Sequence, residues 1–239
     1  MGKAIFLLFF TPSILCGQSS TIPQEQSRVN NMNELMKQNT SSLVLYYKGS
    51  EIDVDGSKYF HNDYVTGELW FMNGDYISTG YLFKFDESEN SVQIKDKNGN
   101  EILADGNKIS GCRININDKA VLYFRTEVPQ ELNKTRLFQL LYNSDVFRVI
   151  KLPSKQLITK NKIFHDDALQ YEYVNYHRYF IQKKGGEYEE FKLKKKSLIE
   201  LFPEKKTLIN KLLNTPQYKE RFTEVSFVAL LTELEKKTQ

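Results

Sequence analysis

Short runs of β-forming residues alternate with compact turn sequences through the middle of this 239-residue chain, and this alternation limits the fold more than any other feature. Two aromatic-rich runs, Val65 to Met72 and Tyr76 to Phe85, flank Asn73-Gly74-Asp75, which is a strong β-hairpin signal. Further turn sequences are Asp96-Lys97-Asn98-Gly99-Asn100, Asp105-Gly106-Asn107, Asn117-Asp118, Asn143-Ser144-Asp145 and Lys184-Gly185-Gly186. Turns at intervals of roughly 8–12 residues predict an antiparallel β-meander, either a twisted sheet or a partial barrel.

The hydrophobic pattern becomes helical near residue 195. Two apolar stripes at helical spacing follow, formed by Leu208, Ile209, Leu212 and Leu213 and by Phe227, Leu230, Leu231 and Leu234. A helix with one apolar face must cover another element, and the sheet is the nearest candidate. We therefore predict the α+β class, with an antiparallel β domain over residues 43–194 and C-terminal amphipathic helices over residues 195–239 that cap the same domain.

The N-terminus has the order of features that marks a secretory signal. Lys3 precedes the apolar run Ala4 to Phe10, and small residues end the segment before the chain turns polar at Gln18. We expect residues 1–17 to be a signal peptide and the protein to be exported. Its location would be periplasmic, outer-membrane associated or extracellular.

Cys16 leaves a second interpretation of the N-terminus open, in which this residue carries a lipid anchor. A lipoprotein signal has a small residue immediately before the cysteine, whereas Leu15 occupies that position here. This favours removal of Cys16 with the signal. Residues 18–42 are polar and predict a flexible leader, in which the spacing of Val29, Met32 and Met36 allows a short helix.

Charge is distributed unevenly along the predicted mature chain. Residues 18–152 hold 15 Lys+Arg and 18 Asp+Glu, a net charge of −3, whereas residues 153–239 hold 17 and 12, a net charge of +5. This balance predicts no nucleic-acid partner. Lys192, Lys194, Lys195 and Lys196 could meet lipid phosphates in a peripheral membrane contact. A simpler explanation is that these lysines lie on the solvent-exposed first turn of a helix and bind no membrane.

Candidate chemistry is sparse in this sequence, and we predict neither a cofactor nor a metal site. An aromatic platform for a glycan or lipid could be formed by Trp70, Phe71, Tyr76, Tyr81 and Phe83, which could equally be core residues. A hydrolase could use His165 as a general base that is oriented by the carboxylates of Asp166 and Asp167. The simpler interpretation is that these three residues belong to a polar loop. We expect His177 to fill a strand face and Cys112 to be a small buried hydrophobe.

Three segments carry a resemblance to a known family: Gly56-Ser57-Lys58-Tyr59-Phe60, Gly67-Glu68-Leu69 and LKKKSLIELFPEKKTLINKLL. On these the chain resembles a family of uncharacterised exported proteins of Bacteroidota-type bacteria, with a GSPYL-like motif, a β-rich middle and a helical C-terminal end. Lys58 stands where that family usually has proline. The resemblance extends over most of residues 56–214 and implies export and a bacterial envelope setting, but no catalytic residue.

Three function classes follow from these features. The first is a non-enzymatic envelope protein that binds another envelope protein or has a structural role, in an oligomeric state that the sequence leaves open. The second is a lipid- or glycan-binding module that uses an aromatic face of the sheet. The third is a hydrolase that uses the His/Asp cluster. We favour the first, because the sequence has an export signal and two amphipathic helices but no nucleophile elbow, phosphate-binding loop or zinc-protease motif.

Overall fold

The turn-rich middle of the chain forms fourteen strands within residues 54–128, 134–159, 171–219 and 222–237, which are the residues that the computed structural model describes. The strands are β1 (Val54–Asp55), β2 (Gly67–Phe71), β3 (Tyr76–Ile77), β4 (Leu82–Asp86), β5 (Ser91–Lys95), β6 (Glu101–Leu103), β7 (Ile109–Ile116), β8 (Lys119–Phe124), β9 (Phe138–Asn143), β10 (Phe147–Leu152), β11 (Lys155–Thr159), β12 (Tyr171–Asn175), β13 (Arg178–Lys183) and β14 (Tyr188–Phe191). Helices follow: α1 (Lys195–Leu201), a 3₁₀ helix (Pro203–Lys205), α2 (Lys206–Leu213), α3 (Pro216–Lys219) and α4 (Glu224–Lys236). The predicted α+β class, with strands first and helices last, is confirmed.

The described strands make three sheets. The main sheet has eight strands in the order β14-β13-β10-β9-β8-β7-β2-β3, and it is antiparallel throughout. A second sheet is β4-β5-β6, and a third is β1-β12-β11, in which β1 runs parallel to β12. Since the main sheet ends at β14 and β3, it is an open sheet rather than a closed one.

Two runs that read as continuous strands in the sequence are each divided between sheets. The run from Tyr76 to Phe85 breaks at Gly80, whose φ of 81° suits glycine, and Tyr81 donates its N–H to the Ser78 carbonyl in this turn. The part before the break joins the main sheet, and the part after it forms β4. The second run, Tyr171 to Gln182, breaks at Tyr176-His177. The part before the break is β12 of the third sheet, and the part after it belongs to β13 of the main sheet.

Different structures cover the two halves of one face of the main sheet. The β4-β5-β6 sheet buries Leu69, Ile77 and Cys112 in a first core together with Phe83 and Phe85. At the other end, the helices bury residues of β10, β13 and β14 in a second core. Its fully buried members include Val149, Ile181, Leu198, Ile209, Phe227, Leu230, Leu231 and Leu234. The apolar stripes predicted from helical spacing are therefore the helix contribution to this second core.

A continuous row of cross-strand neighbours crosses all eight strands and connects the two cores. In strand order its members are Ile77, Leu69, Cys112, Tyr123, Gln139, Lys151, Tyr179 and Phe191. Directly paired residues point to the same face of a sheet, so this row lies on the covered face. Its ends belong to the two cores, whereas Gln139 and Lys151 in the middle are polar and only 8% and 3% exposed. A polar layer thus separates the cores.

Candidate functional site

An open groove of about 740 Å³ lies where the last strand of the main sheet meets the first helix. One wall consists of Glu189, Glu190, Phe191 and Lys192. Successive residues of a strand point to opposite faces, so a groove that touches Glu189, Glu190 and Phe191 follows the edge of β14 rather than one of its faces. The opposite wall consists of Lys194, Lys196, Ser197, Glu200 and Leu201.

Local sequence explains why helix α1 returns beside strand β14. Phe191 ends the strand as an anchor in the second core, where its ring stacks on Phe227 at a centroid distance of 4.8 Å. Lys194 then donates its N–H to the Lys192 carbonyl at 2.8 Å and closes a tight turn. Ser197 and Leu201 are four residues apart, so they share one face of α1, and both are buried at the base of the groove.

Ion pairs compensate the carboxylates of the groove. Arg178 holds Glu190 through two hydrogen bonds, of which the Nε–Oε1 bond is 2.8 Å, and this contact lowers the pKa of Glu190. Lys196 lies 3.5 Å from Glu200, and Lys183 lies 3.9 Å from Glu189.

The exposed lysines Lys192 and Lys194 have no ion-pair partner within the described ranges. The lining itself is balanced, with three glutamates and three lysines, and the neighbouring Arg178 and Lys183, which pair with two of the glutamates, give the site a net charge of +2. Three of the four lysines that the sequence singled out for a membrane contact, Lys192, Lys194 and Lys196, line this groove, whereas Lys195 does not.

The five residues predicted as an aromatic platform are not together on one face. Phe71 and Phe83 are buried in the first core, and Tyr81 packs against that core. Trp70 and Tyr76 are cross-strand neighbours on the opposite face of the sheet. Strand alternation requires this division, because Trp70 and Phe71 are adjacent in β2 and must point to opposite sides.

Gly111 gives Trp70 the room to lie over the sheet. It is the cross-strand neighbour of Trp70 on β7, and a Cβ at this position would lie 3.3 Å from Trp70 Cε3 and 2.6 Å from the Tyr123 carbonyl oxygen. Next to this platform, Arg113 donates to Glu68 at 2.7 Å. Trp70 and Tyr76 thus form a small aromatic platform beside an ion pair on the face opposite the first core.

A second group of polar and charged side chains occupies the layer between the two cores. Lys151 lies 3.1 Å from Glu224 Oε1, and Tyr179 donates its hydroxyl to the same oxygen at 2.9 Å. Lys155 lies 3.1 Å from Glu87, whose side chain is 3% exposed. Four charges are therefore matched in two pairs, as burial of ionised groups requires.

His177 lies beside these pairs. Its Nδ1 accepts the N–H of Ser154 at 3.1 Å, and burial together with the positive charge of Lys151 lowers its pKa. The expectation that Cys112 is buried is confirmed, since it is a free thiol with no exposed surface. Burial also raises the pKa of this thiol, so it is not an activated nucleophile.

Neither the groove nor the polar layer was predicted as a site from the sequence. The lysines of the groove stood out as a charge run, but nothing local indicated that β14 would be an edge strand. The predicted site residues Cys16, His165, Asp166 and Asp167 lie outside the described residues. In the described ranges, no helix has the length and apolarity needed to cross a membrane.

Comparison of the chain with protein-family models, with curated proteins and with solved structures gave no match.

Proposed function

We propose that this chain is an exported bacterial envelope protein that acts as a non-enzymatic protein-interaction module. The observation that carries the proposal is the groove beside β14, which combines an open strand edge with buried apolar side chains, Phe191 and Leu201, at its base. Exposed strand edges are templates for pairing with another chain, and apolar pockets beside them recognise side chains of the partner. The secretory pattern of residues 1–17 supports the envelope setting.

Site-specific photocrosslinking in the source bacterium tests the interaction. A benzophenone amino acid replaces Glu189 or Lys194 in the groove, with Lys119, which is exposed on the opposite half of the sheet, as the control position. We expect a discrete crosslinked product from the groove positions alone. Crosslinking that is equal at the control position, or lacking at all positions, would contradict the proposal.

Mass spectrometry of the mature N-terminus tests the export step separately. We propose cleavage after Gly17, which leaves Gln18 as the first residue. A lipidated Cys16 would convert the exported chain into one anchored to a membrane, as two acyl chains hold a protein stably on a bilayer. An intact N-terminus beginning with the signal segment would argue against export.

A second candidate function is glycan binding at the platform of Trp70 and Tyr76. Trp70 has a flat contact over Gly111, and the Glu68–Arg113 pair supplies polar groups at its side. Aromatic faces that stack on sugar rings need such neighbours for orientation. The chain contains a single tryptophan, so a titration with cellohexaose or chitohexaose that leaves tryptophan fluorescence unchanged would count against this function for those sugars.

A further inference from the structure

We infer that the groove binds an extended segment of a partner protein that pairs with strand β14 as an added strand and carries acidic side chains. This inference rests on the proposed interaction function and names the chemistry of the partner. Three features of the described residues support it: the strand edge, the shape of the groove beside it and the two wall lysines, Lys192 and Lys194, whose charges no carboxylate pairs with.

The edge of β14 is the longer of the two ends of the main sheet. The other end strand, β3, has two residues, whereas β14 has four, and the described strands pair with β14 only through β13. In an antiparallel ladder, alternate residues direct their N–H and C=O groups away from the neighbouring strand. Alternate backbone groups of β14 therefore point toward the groove and can bind the backbone of another strand.

The groove has the shape that an extended chain needs. It follows the last three residues of β14 and continues to Lys192, and its opposite wall is Lys194 and one side of α1. Phe191 and Leu201 are buried at the base, and Ser197 adds a small polar group there. Strand addition combines backbone hydrogen bonds with contacts of alternate side chains, so an apolar residue of the partner would face this base.

The charged residues around the groove favour an acidic partner segment over a basic one. Arg178, Lys183 and Lys196 accompany the three carboxylates of the walls, while Lys192 and Lys194 remain without such a partner among the described residues. A partner with Asp or Glu beside its apolar residues would compensate these two lysines. A lysine-rich segment would instead add positive charge beside these two unpaired lysines. Such like-charge repulsion is a common means of partner discrimination.

Anisotropy titrations of fluorescein-labelled nine-residue peptides against the mature chain test the inference. The first peptide alternates valine with aspartate, the second alternates valine with lysine, and the third is the valine–aspartate peptide with alternate amides N-methylated. We expect the first peptide to bind saturably and each of the other two to bind at least about tenfold more weakly. The second peptide carries positive instead of negative charge, and the third lacks half of the backbone N–H donors. Equal binding of the first and third peptides would overturn strand addition.

Charge reversal tests the acidic preference. In Lys192→Glu/Lys194→Glu the valine–lysine peptide should become the tighter ligand, whereas Lys97→Glu/Lys119→Glu changes two exposed lysines far along the chain and should keep the original order. All four positions are exposed, so the thermal midpoint of each variant should match that of the unmodified chain. An unchanged preference in the groove variant would overturn the inference. If groove crosslinks persist in that variant, the proposed interaction function stands and only the acidic partner is wrong.

Discussion

Lys151 and Glu224 form an ion pair between the middle of the main sheet and the first turn of α4, with Lys151 Nζ 3.1 Å from Glu224 Oε1. The two ends of this pair differ in solvent access, because the side chain of Lys151 is 4% exposed and that of Glu224 is 31% exposed. The pair therefore fixes the last helix over the polar layer and compensates a charge that the sheet has buried.

Removal of the carboxylate should cost more stability than removal of the amine. Glu224→Gln leaves the Lys151 charge buried without its partner, and we expect a loss on the order of 2–3 kcal/mol in the free energy of unfolding. Lys151→Met leaves a carboxylate that water can reach and should cost less. Urea unfolding of both single variants and the double variant measures the difference. If Lys151→Met were the more destabilising change, the pair would not have the role described.

Stability should fall as pH decreases through the range in which His177 would be protonated in the unfolded chain. The pKa of His177 is lowered from its ordinary value of 6.5, first by burial and then by Lys151, with Lys155 acting in the same direction and Glu87 and Glu224 opposing it. The folded state therefore binds fewer protons than the unfolded state below about pH 6.5. The contribution of neutral His177 to the free energy of unfolding is therefore complete above about pH 6.5 and is lost as the pH falls below that value.

Urea unfolding between pH 5 and pH 8 measures this effect. His177→Gln should flatten the dependence of unfolding free energy on pH, whereas His61→Gln, which changes a loop residue with only local hydrogen bonds, should retain it. Parallel curves for the unmodified chain and His177→Gln would show that His177 does not contribute.

Gly111→Ala should destabilise the sheet and displace Trp70. The new Cβ would lie 2.6 Å from the backbone oxygen of Tyr123, so β7 and β8 must separate, and we expect a loss of about 1–3 kcal/mol. Gly106→Ala is the matched control, since a Cβ at Gly106 meets no atom within 4 Å. Thermal unfolding and the emission maximum of the single tryptophan report the two effects. Equal midpoints in the two variants would contradict the close approach of Gly111 to Tyr123, and an unchanged emission maximum in Gly111→Ala would contradict the packing of Trp70 on Gly111.

Local sequence signals account for much of the fold. Asn73-Gly74-Asp75 turns β2 into β3, and the Asp96–Asn100 turn joins β5 to β6, where Asp96 Oδ1 accepts two backbone N–H groups. These contacts are short in sequence, so residue type alone indicates them. The sequence does not predict the division of Tyr76 to Phe85 at Gly80, because a single glycine within an aromatic run is a weak signal.

The candidate sites depend on contacts that no local pattern shows. Lys151 and Glu224 are separated by 73 residues, and only the register of the sheet and the placement of α4 bring them together. The order of strands makes β14 an edge, and that order is also a long-range property. By contrast, strand alternation alone would have placed Trp70 and Phe71 on opposite faces and divided the predicted aromatic platform.

Hydrogen exchange of the β14 backbone amides tests the central claim, that this strand edge is the docking site, most directly. The mature chain is measured alone and with a saturating concentration of the valine–aspartate peptide. We predict slower exchange on peptide addition for alternate amides of residues 188–192, while amides of β3, the other end strand, keep their rate. Unchanged exchange in β14 while the peptide is bound, or slower exchange confined to another strand, would contradict the account.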